Sequence, residues 1–223
     1  MLNHQQTHSF RKFTMQIARL VQAAAIAALF AAGSASATTP NLISNGDFES
    51  FTAGLPGSGY VVVNNGASGI TGWTVGANSV DLIQNAYNAI NGVSVDLIGT
   101  PGPGSISQQF SYAANTTYTL QFQLTHNPGA SGGAMMYADF FGSQHQYNGM
   151  DPLQTVALSF TTGATAGTST LSFGSIGGDN FSGAVIDNVS LMAAVPEPET
   201  YAMLGAGLGL LAFIGRRKAR QAR

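Results

Sequence analysis

The 223-residue chain has no cysteine, and its long middle section has no lysine or arginine. The first absence excludes disulfides and thiolate metal sites, and leaves export allowed but not demonstrated by cysteine usage. The second excludes more. All eight basic residues lie at the ends: Arg11, Lys12 and Arg19, then Arg216, Arg217, Lys218, Arg220 and Arg223. All ten Asp and Glu fall between Thr38 and Tyr201, so a net charge of −2 conceals an acidic middle flanked by basic ends. Such a middle is not built for nucleic acid, whose binding needs cationic side chains to displace phosphate counterions. It also lacks the Arg or Lys clamp of phosphoryl transfer. Long hydrophobic runs are missing as well: the two apolar segments, Leu20–Ala32 and Tyr201–Ile214, are both shorter than the ~20 residues of a bilayer-spanning helix.

Both ends read as addresses. Basic residues lead into Leu20–Ala32, where Gln22 is the one polar member, and Gly33-Ser34-Ala35-Ser36-Ala37 follows. Small residues three and one before a cut suit signal peptidase, so residues 1–37 are expected to be a signal peptide removed after Ala37. An uncleaved anchor is the other reading. At the far end, Pro196-Glu197-Pro198 precedes Tyr201–Ile214, which as a helix rises about 21 Å against a ~30 Å hydrocarbon core. The cluster from Arg216 and Arg217 onward holds its end in the cytoplasm by the positive-inside rule. Gly205, Gly207 and Gly209 give a smooth helix face for close packing. An ordinary, permanent tail anchor is one interpretation. The three elements in this order, residues 196–223, closely resemble the PEP-CTERM sorting signal of Gram-negative bacteria. That resemblance implies an exosortase-type enzyme in the inner membrane as partner, a cut near the Pro-Glu-Pro, and a transient anchor followed by release to the cell surface or the medium.

Residues 38–195 remain as one domain. Tyr118, Leu120, Phe122 and Leu124 alternate with Thr117, Thr119, Gln121 and Gln123; Val156, Leu158 and Phe160 alternate with Thr155, Ala157 and Ser159; Leu171 and Phe173 repeat the pattern. Period two marks strands with one face in a core and one in solvent. Further strands are expected at 60–63, 79–83, 93–98, 105–111, 135–141 and 184–191, with one short helical turn in 84–90. Asn64-Asn65-Gly66, Asn91-Gly92, Pro101-Gly102-Pro103-Gly104 and Asn127-Pro128-Gly129 separate them as turns. The predicted fold is all-β, a single jelly-roll β-sandwich.

Chemistry is sparse. If Asn45-Gly46-Asp47-Phe48-Glu49 is extended, Asp47 and Glu49 share one side and Phe48 takes the other. Asp187 has the same parity as Val185, Val189 and Leu191, so a carboxylate falls in line with core residues and must be paired, hydrogen-bonded or protonated. Two readings stand: one Ca²⁺ clipping Asp47, Glu49 and Asp187 together, since all-oxygen ligands suit that ion, or Asp187 at a bulge, in solvent or accepting N–H bonds in a turn. Gly129-Ala130-Ser131-Gly132-Gly133 matches the G-x-S-x-G pattern, but a strand follows instead of the helix that a nucleophile elbow needs. Asp81, Asp96, Asp139, Asp151 and Asp179 are numerous enough for a glycosidase pair, which the sequence cannot place. His145, Tyr147 and Asp151 read as a polar connecting loop or the lining of a groove. Tyr60, Trp73, Tyr87 and Tyr147 sit among amides and are candidate sugar platforms, with core packing the competing role for Trp73.

The segments Asn41–Glu49, Gly72–Val75, Ser79–Ile83, Val93–Leu97 and Ile186–Leu191 are similar to the choice-of-anchor C family and the related domain of unknown function 642. That resemblance implies a galactose-binding-like jelly roll, similar to many carbohydrate-binding modules, in which an N-terminal acid and a C-terminal Asp often share a structural Ca²⁺. The function expected is an exported, non-enzymatic surface or matrix protein with exopolysaccharide as a ligand. The alternatives are a small secreted polysaccharide-active hydrolase and a permanently anchored surface protein.

Overall fold

The computed structural model describes residues 39–54, 59–130, 133–177, 181–194, 204–209, 211, 212 and 216. The expected signal peptide and the sorting residues Pro196, Glu197, Pro198 and Arg217 lie outside these. Residues 204–209 are helical, and Arg216 is helical and exposed. Among the described residues no helix is long and apolar enough to cross a membrane. Thr39–Ala194 form one compact unit, described below by itself.

Among the described residues, twelve strands make two antiparallel sheets. In chain order they are β1 (Tyr60–Asn64), β2 (Thr74–Ala77), β3 (Ser79–Ile83), β4 (Ser94–Asp96), β5 (Ile98–Gly99), β6 (Gly102–Tyr112), β7 (Thr117–His126), β8 (Met135–Phe140), β9 (Ser143–Asn148), β10 (Gln154–Thr161), β11 (Gly167–Ser175) and β12 (Ala184–Ala193). One sheet runs β1-β3-β4-β12-β7-β10; the other runs β2-β6-β11-β8-β9, with β5 paired to β6. This is the jelly-roll sandwich that the alternation implies. The alternating residues of β7 and β11 face inward as their period requires: Leu120, Phe122 and Leu124 of β7 and Leu171 and Phe173 of β11 are fully buried, whereas on the edge strand β10 only Val156 is buried and Phe160 is exposed. On the outward face, Thr117 bonds Thr161 at 2.8 Å and Thr119 bonds Ser159 at 3.1 Å across β7 and β10. Hydroxyl pairs thus serve as the cross-strand contacts that charged pairs supply elsewhere.

Four local readings change. Gly102, Pro103 and Gly104, expected within a turn, open β6 and pair with β5. The stretch 93–98 is two strands broken at Leu97. His145 and Tyr147 belong to an edge strand, β9, and not to a connecting loop; its polar, exposed sequence carries no alternation to betray it. Asn45–Glu49 is a turn. Phe48 has φ +54° and its N–H reaches Asn45 O, so the chain curls here instead of extending.

That curled segment is fastened to the last strand. β12 bulges between Asp187 and Ser190, with Asn188 at φ +51°. A bulge leaves backbone groups without ladder partners, and the N-terminal segment supplies them: Val189 N–H donates to Gly46 O at 2.8 Å, Asn41 Nδ2 donates to Val189 O at 3.3 Å, and Leu191 N–H donates to Asn41 Oδ1 at 2.8 Å. Gly46 sits so close that a Cβ would collide with Val189 O. Gly46→Ala is expected to cost about 3 kcal/mol through this overpacking, read as a lowered midpoint in urea unfolding; an unchanged midpoint would mean the segment is not seated on the bulge.

Candidate functional site

The pentapeptide Ser-Val-Asp-Leu-Ile occurs twice, at 79–83 and 94–98. Its two copies pair antiparallel as β3 and β4, with Asp81 directly opposite Asp96. Both side chains are buried, at 4% and 0% exposure. Asp96 is well held: its carboxylate accepts Ile98 N–H at 2.9 Å, Gly183 N–H at 3.0 Å and Asn127 Nδ2 at 2.8 Å. Asp81 has less. It accepts Thr100 N–H at 3.2 Å and the Thr100 hydroxyl at 3.5 Å. Burial pushes Asp96 up to about 7, with the neighbouring Asp81 adding to the rise, and burial pushes Asp81 up to about 6.

Asp81 forms part of the wall of a pocket of about 290 Å³, lined also by Tyr60, Ile83, Tyr87, Thr100, Asn127, Phe181 and Ser182. Register explains the convergence. Tyr60 opens β1 directly opposite Ile83 at the end of β3. A 3₁₀ turn, Asn85–Tyr87, follows at once, and Asn88 ends it in the left-handed region at φ +66°. Asn88 Nδ2 ties that turn to β7 by donating to His126 O at 2.8 Å. Tyr87 is thereby brought edge-on to Tyr60, with ring centroids 5.4 Å apart and planes at 83°.

The candidate sugar platforms separate into two groups. Tyr60 and Tyr87 meet in the pocket. Trp73 is a core residue and no platform: it is 3% exposed, lies against Phe48 and Phe173, and donates its indole N–H to Asn45 O at 3.0 Å. Tyr147 lies on the other sheet, its ring edge-to-face with Phe122 at 5.7 Å. Thr100, Asn127, Phe181 and Ser182 were not singled out from the sequence. The repeated pentapeptide is the signal that could have found the Asp81–Asp96 pair, because identical strands that pair antiparallel place their central residues opposite.

The expected three-carboxylate metal clip assembles only in part. Asp187 is fully buried at the bulge. Its carboxylate accepts the Ser94 hydroxyl at 2.8 Å, Asn91 N–H at 3.2 Å and Asn188 N–H at 2.6 Å. Glu49 reaches the same Asn91–Ser94 turn and accepts Val93 N–H at 2.7 Å. Burial, and then the nearby Glu49 carboxylate, raise Asp187 to about 6. Asp47 is exposed and is not brought to them, because the left-handed Phe48 turns the two acids apart. Among the described residues no group of three or more His, Cys, Asp or Glu is placed to hold a metal ion.

Comparison with known proteins adds the following. Residues 41–192 match the family model "Protein of unknown function (DUF642)", and residues 194–218 match the PEP-CTERM protein-sorting motif. Halomucin of Haloquadratum walsbyi is 32% identical over 113 residues, 49% of this chain; the chain spans about 1% of that relative's length. Among solved structures, the chain is similar to a family 16 carbohydrate-binding module (18% identity, TM-score 0.43, covering 68% of this chain and 99% of that one). It is similar also to a family 4 module (17% identity, TM-score 0.42, 68% and 99%).

A raised carboxyl pKa means that the folded state holds its proton more tightly than the unfolded state. For Asp81 and Asp96 the resulting stabilisation is complete below the ordinary value of 3.8 and is lost as pH rises through about 6 and about 7. The melting temperature is therefore expected to fall by several degrees between mildly acidic and mildly alkaline buffer, and Asp96→Asn should flatten that slope. A melting temperature that climbs with pH over this window would contradict the assignment.

Proposed function

The chain belongs to the DUF642 family and carries a PEP-CTERM protein-sorting motif, and from that premise we propose that it is a non-enzymatic, exosortase-sorted surface or matrix protein whose jelly-roll domain binds exopolysaccharide. The observation that carries the binding half is the pocket: it joins the Tyr60–Tyr87 ring pair to the polar side chains of Asp81, Thr100 and Ser182. Aromatic rings cover the apolar face of a sugar, and a few convergent polar groups fix its hydroxyls. In this reading signal peptidase removes residues 1–37 as the chain crosses the inner membrane of a Gram-negative bacterium. An exosortase-type enzyme then processes the tail near Pro196-Glu197-Pro198.

Binding is preferred to hydrolysis on geometry. A glycosidase needs two carboxyl groups that both reach the scissile bond. Asp81 lines the pocket, but its partner Asp96 is fully buried and committed to three N–H donors. Affinity electrophoresis of the full-length chain in gels cast with neutral polysaccharides tests the proposal. Retardation that Tyr60→Ala or Tyr87→Ala weakens at least tenfold is expected; retardation by no polysaccharide would leave a purely structural protein. Reducing-end release abolished by Asp81→Asn would establish the hydrolase instead.

A two-carboxylate Ca²⁺ site at Glu49 and Asp187 is the form of the calcium expectation that this geometry leaves standing. Two acids converge on one turn in a stretch that has no Lys or Arg to neutralise them, and carboxylate oxygens suit the ion. Melting curves in calcium and in EGTA decide: a drop of several degrees in EGTA that Glu49→Gln removes is expected. Identical curves would leave Asp187 to its N–H and O–H donors and its proton.

A further inference from the structure

We infer that the tyrosine-lined pocket selects a cationic group on its ligand, a free amine on a sugar ring in preference to an acetylated or wholly hydroxylated one. This rests on the glycan-binding reading and narrows it.

The charged group in the pocket lining is an acceptor, Asp81, set among the hydroxyls of Tyr60, Tyr87 and Ser182, each able to donate or accept. Asp81 turns to the pocket a carboxylate whose hydrogen-bond donors among the described residues are the two of Thr100, at 3.2 and 3.5 Å, long for charge-assisted bonds. Asn127 has its amide group committed elsewhere: Nδ2 donates to Asp96, and Oδ1 accepts Gly129 N–H at 3.1 Å. A ligand that brings positive charge therefore meets a carboxylate that its present contacts satisfy only weakly. Behind Asp81, directly across the strand pair, stands a second carboxylate, Asp96.

The walls agree with the floor. Tyr60, Tyr87 and Phe181 contribute rings, and Phe181 is 52% exposed. Aromatic faces carry a negative quadrupole that attracts an ammonium group, and more so where water is thin. No Lys or Arg between residues 38 and 201 competes for Asp81 or repels an incoming cation. The summed acidic field steers cations toward the domain in general, and at this pocket a weakly satisfied carboxylate stands in one lining with aromatic rings. At about 290 Å³ the pocket lies at the small end of the ~300–1,000 Å³ usual for ligand sites, so it takes one ring-sized unit of a longer chain.

Titration calorimetry of the full-length chain compares β-1,4-linked glucosamine oligomers with their N-acetylated counterparts of equal length, at a pH just above the Asp81 value of about 6, so that the carboxylate is mostly ionised while a share of the amines is still protonated. The amine-bearing oligomer is expected to bind at least tenfold tighter, with a margin that shrinks as salt screens the charge. Asp81→Asn should erase the margin, and Asp151→Asn, which alters an exposed acid outside the pocket, should keep it. Tyr87→Leu, a change at the pocket mouth, should reduce the margin even if Asp81→Asn fails to fold. Equal affinity for the two oligomers overturns the inference while leaving glycan binding intact. A margin that survives Asp81→Asn also overturns it, because the general acidic field would then be the cause. Binding of neither oligomer overturns it too, and retardation in polysaccharide gels then decides the broader reading separately.

Discussion

Carboxylates buried in a domain without cations are the constraint on which the rest of this structure turns. Asp81, Asp96 and Asp187 are all buried, and no Lys or Arg lies between residues 38 and 201. Each must draw on neutral donors: Thr100 for Asp81; Ile98, Asn127 and Gly183 for Asp96; Asn91, Ser94 and Asn188 for Asp187. Two of those donors are local, Ile98 and Asn188, and the others reach their acid from 19 to 96 residues away. Satisfying the acids therefore pins the loops that shape the pocket and the bulge that seats the N-terminal segment. The unequal result matters for function. Asp96 is held by three good bonds and is structural; Asp81, its mirror across the strands, has weaker ones and faces the pocket.

Much of the fold was legible because period-two alternation is a direct consequence of one-sided burial. β7, β10 and β11 declare themselves through Leu, Phe and Val set among Thr, Gln and Ser. β9 does not, because an edge strand exposed on nearly all of its residues has no buried face to impose a pattern. The Asp47–Glu49 expectation failed for a related reason. Side-chain parity holds only for extended backbone, and Phe48 adopts a left-handed conformation that composition does not disclose. Asp187 was legible as an acid in line with core residues, yet two of its three donors, Asn91 and Ser94, lie on a segment that only the folded chain brings to it. Tyr60 and Tyr87 were named among sugar candidates, but nothing local announced their meeting; that depends on the β1–β3 register and the 3₁₀ turn after Ile83.

The sorting motif begins where the domain stops. β12 ends at Ala193, Ala194 N–H still donates to Thr117 O at 2.7 Å, and the matched motif starts at residue 194. The last strand of the sandwich and the matched sorting motif are thus consecutive in the chain. Thr, Ser, Gln and Asn on the outward faces stand where many sandwiches carry Lys and Glu, and leave the domain's charge to its acids. Its few carboxylates therefore dominate the field near the pocket.

The most direct test of this account is a carboxyl-detected NMR titration that follows Asp81, Asp96 and Asp187 individually. The account predicts that all three titrate well above the ordinary 3.8, with Asp96 highest, near 7, and Asp81 near 6. Titration of Asp81 and Asp96 at or below 4 would contradict it, because those side chains would then be solvated or paired with a cation, and the cation-free carboxylate pair behind the pocket would not exist.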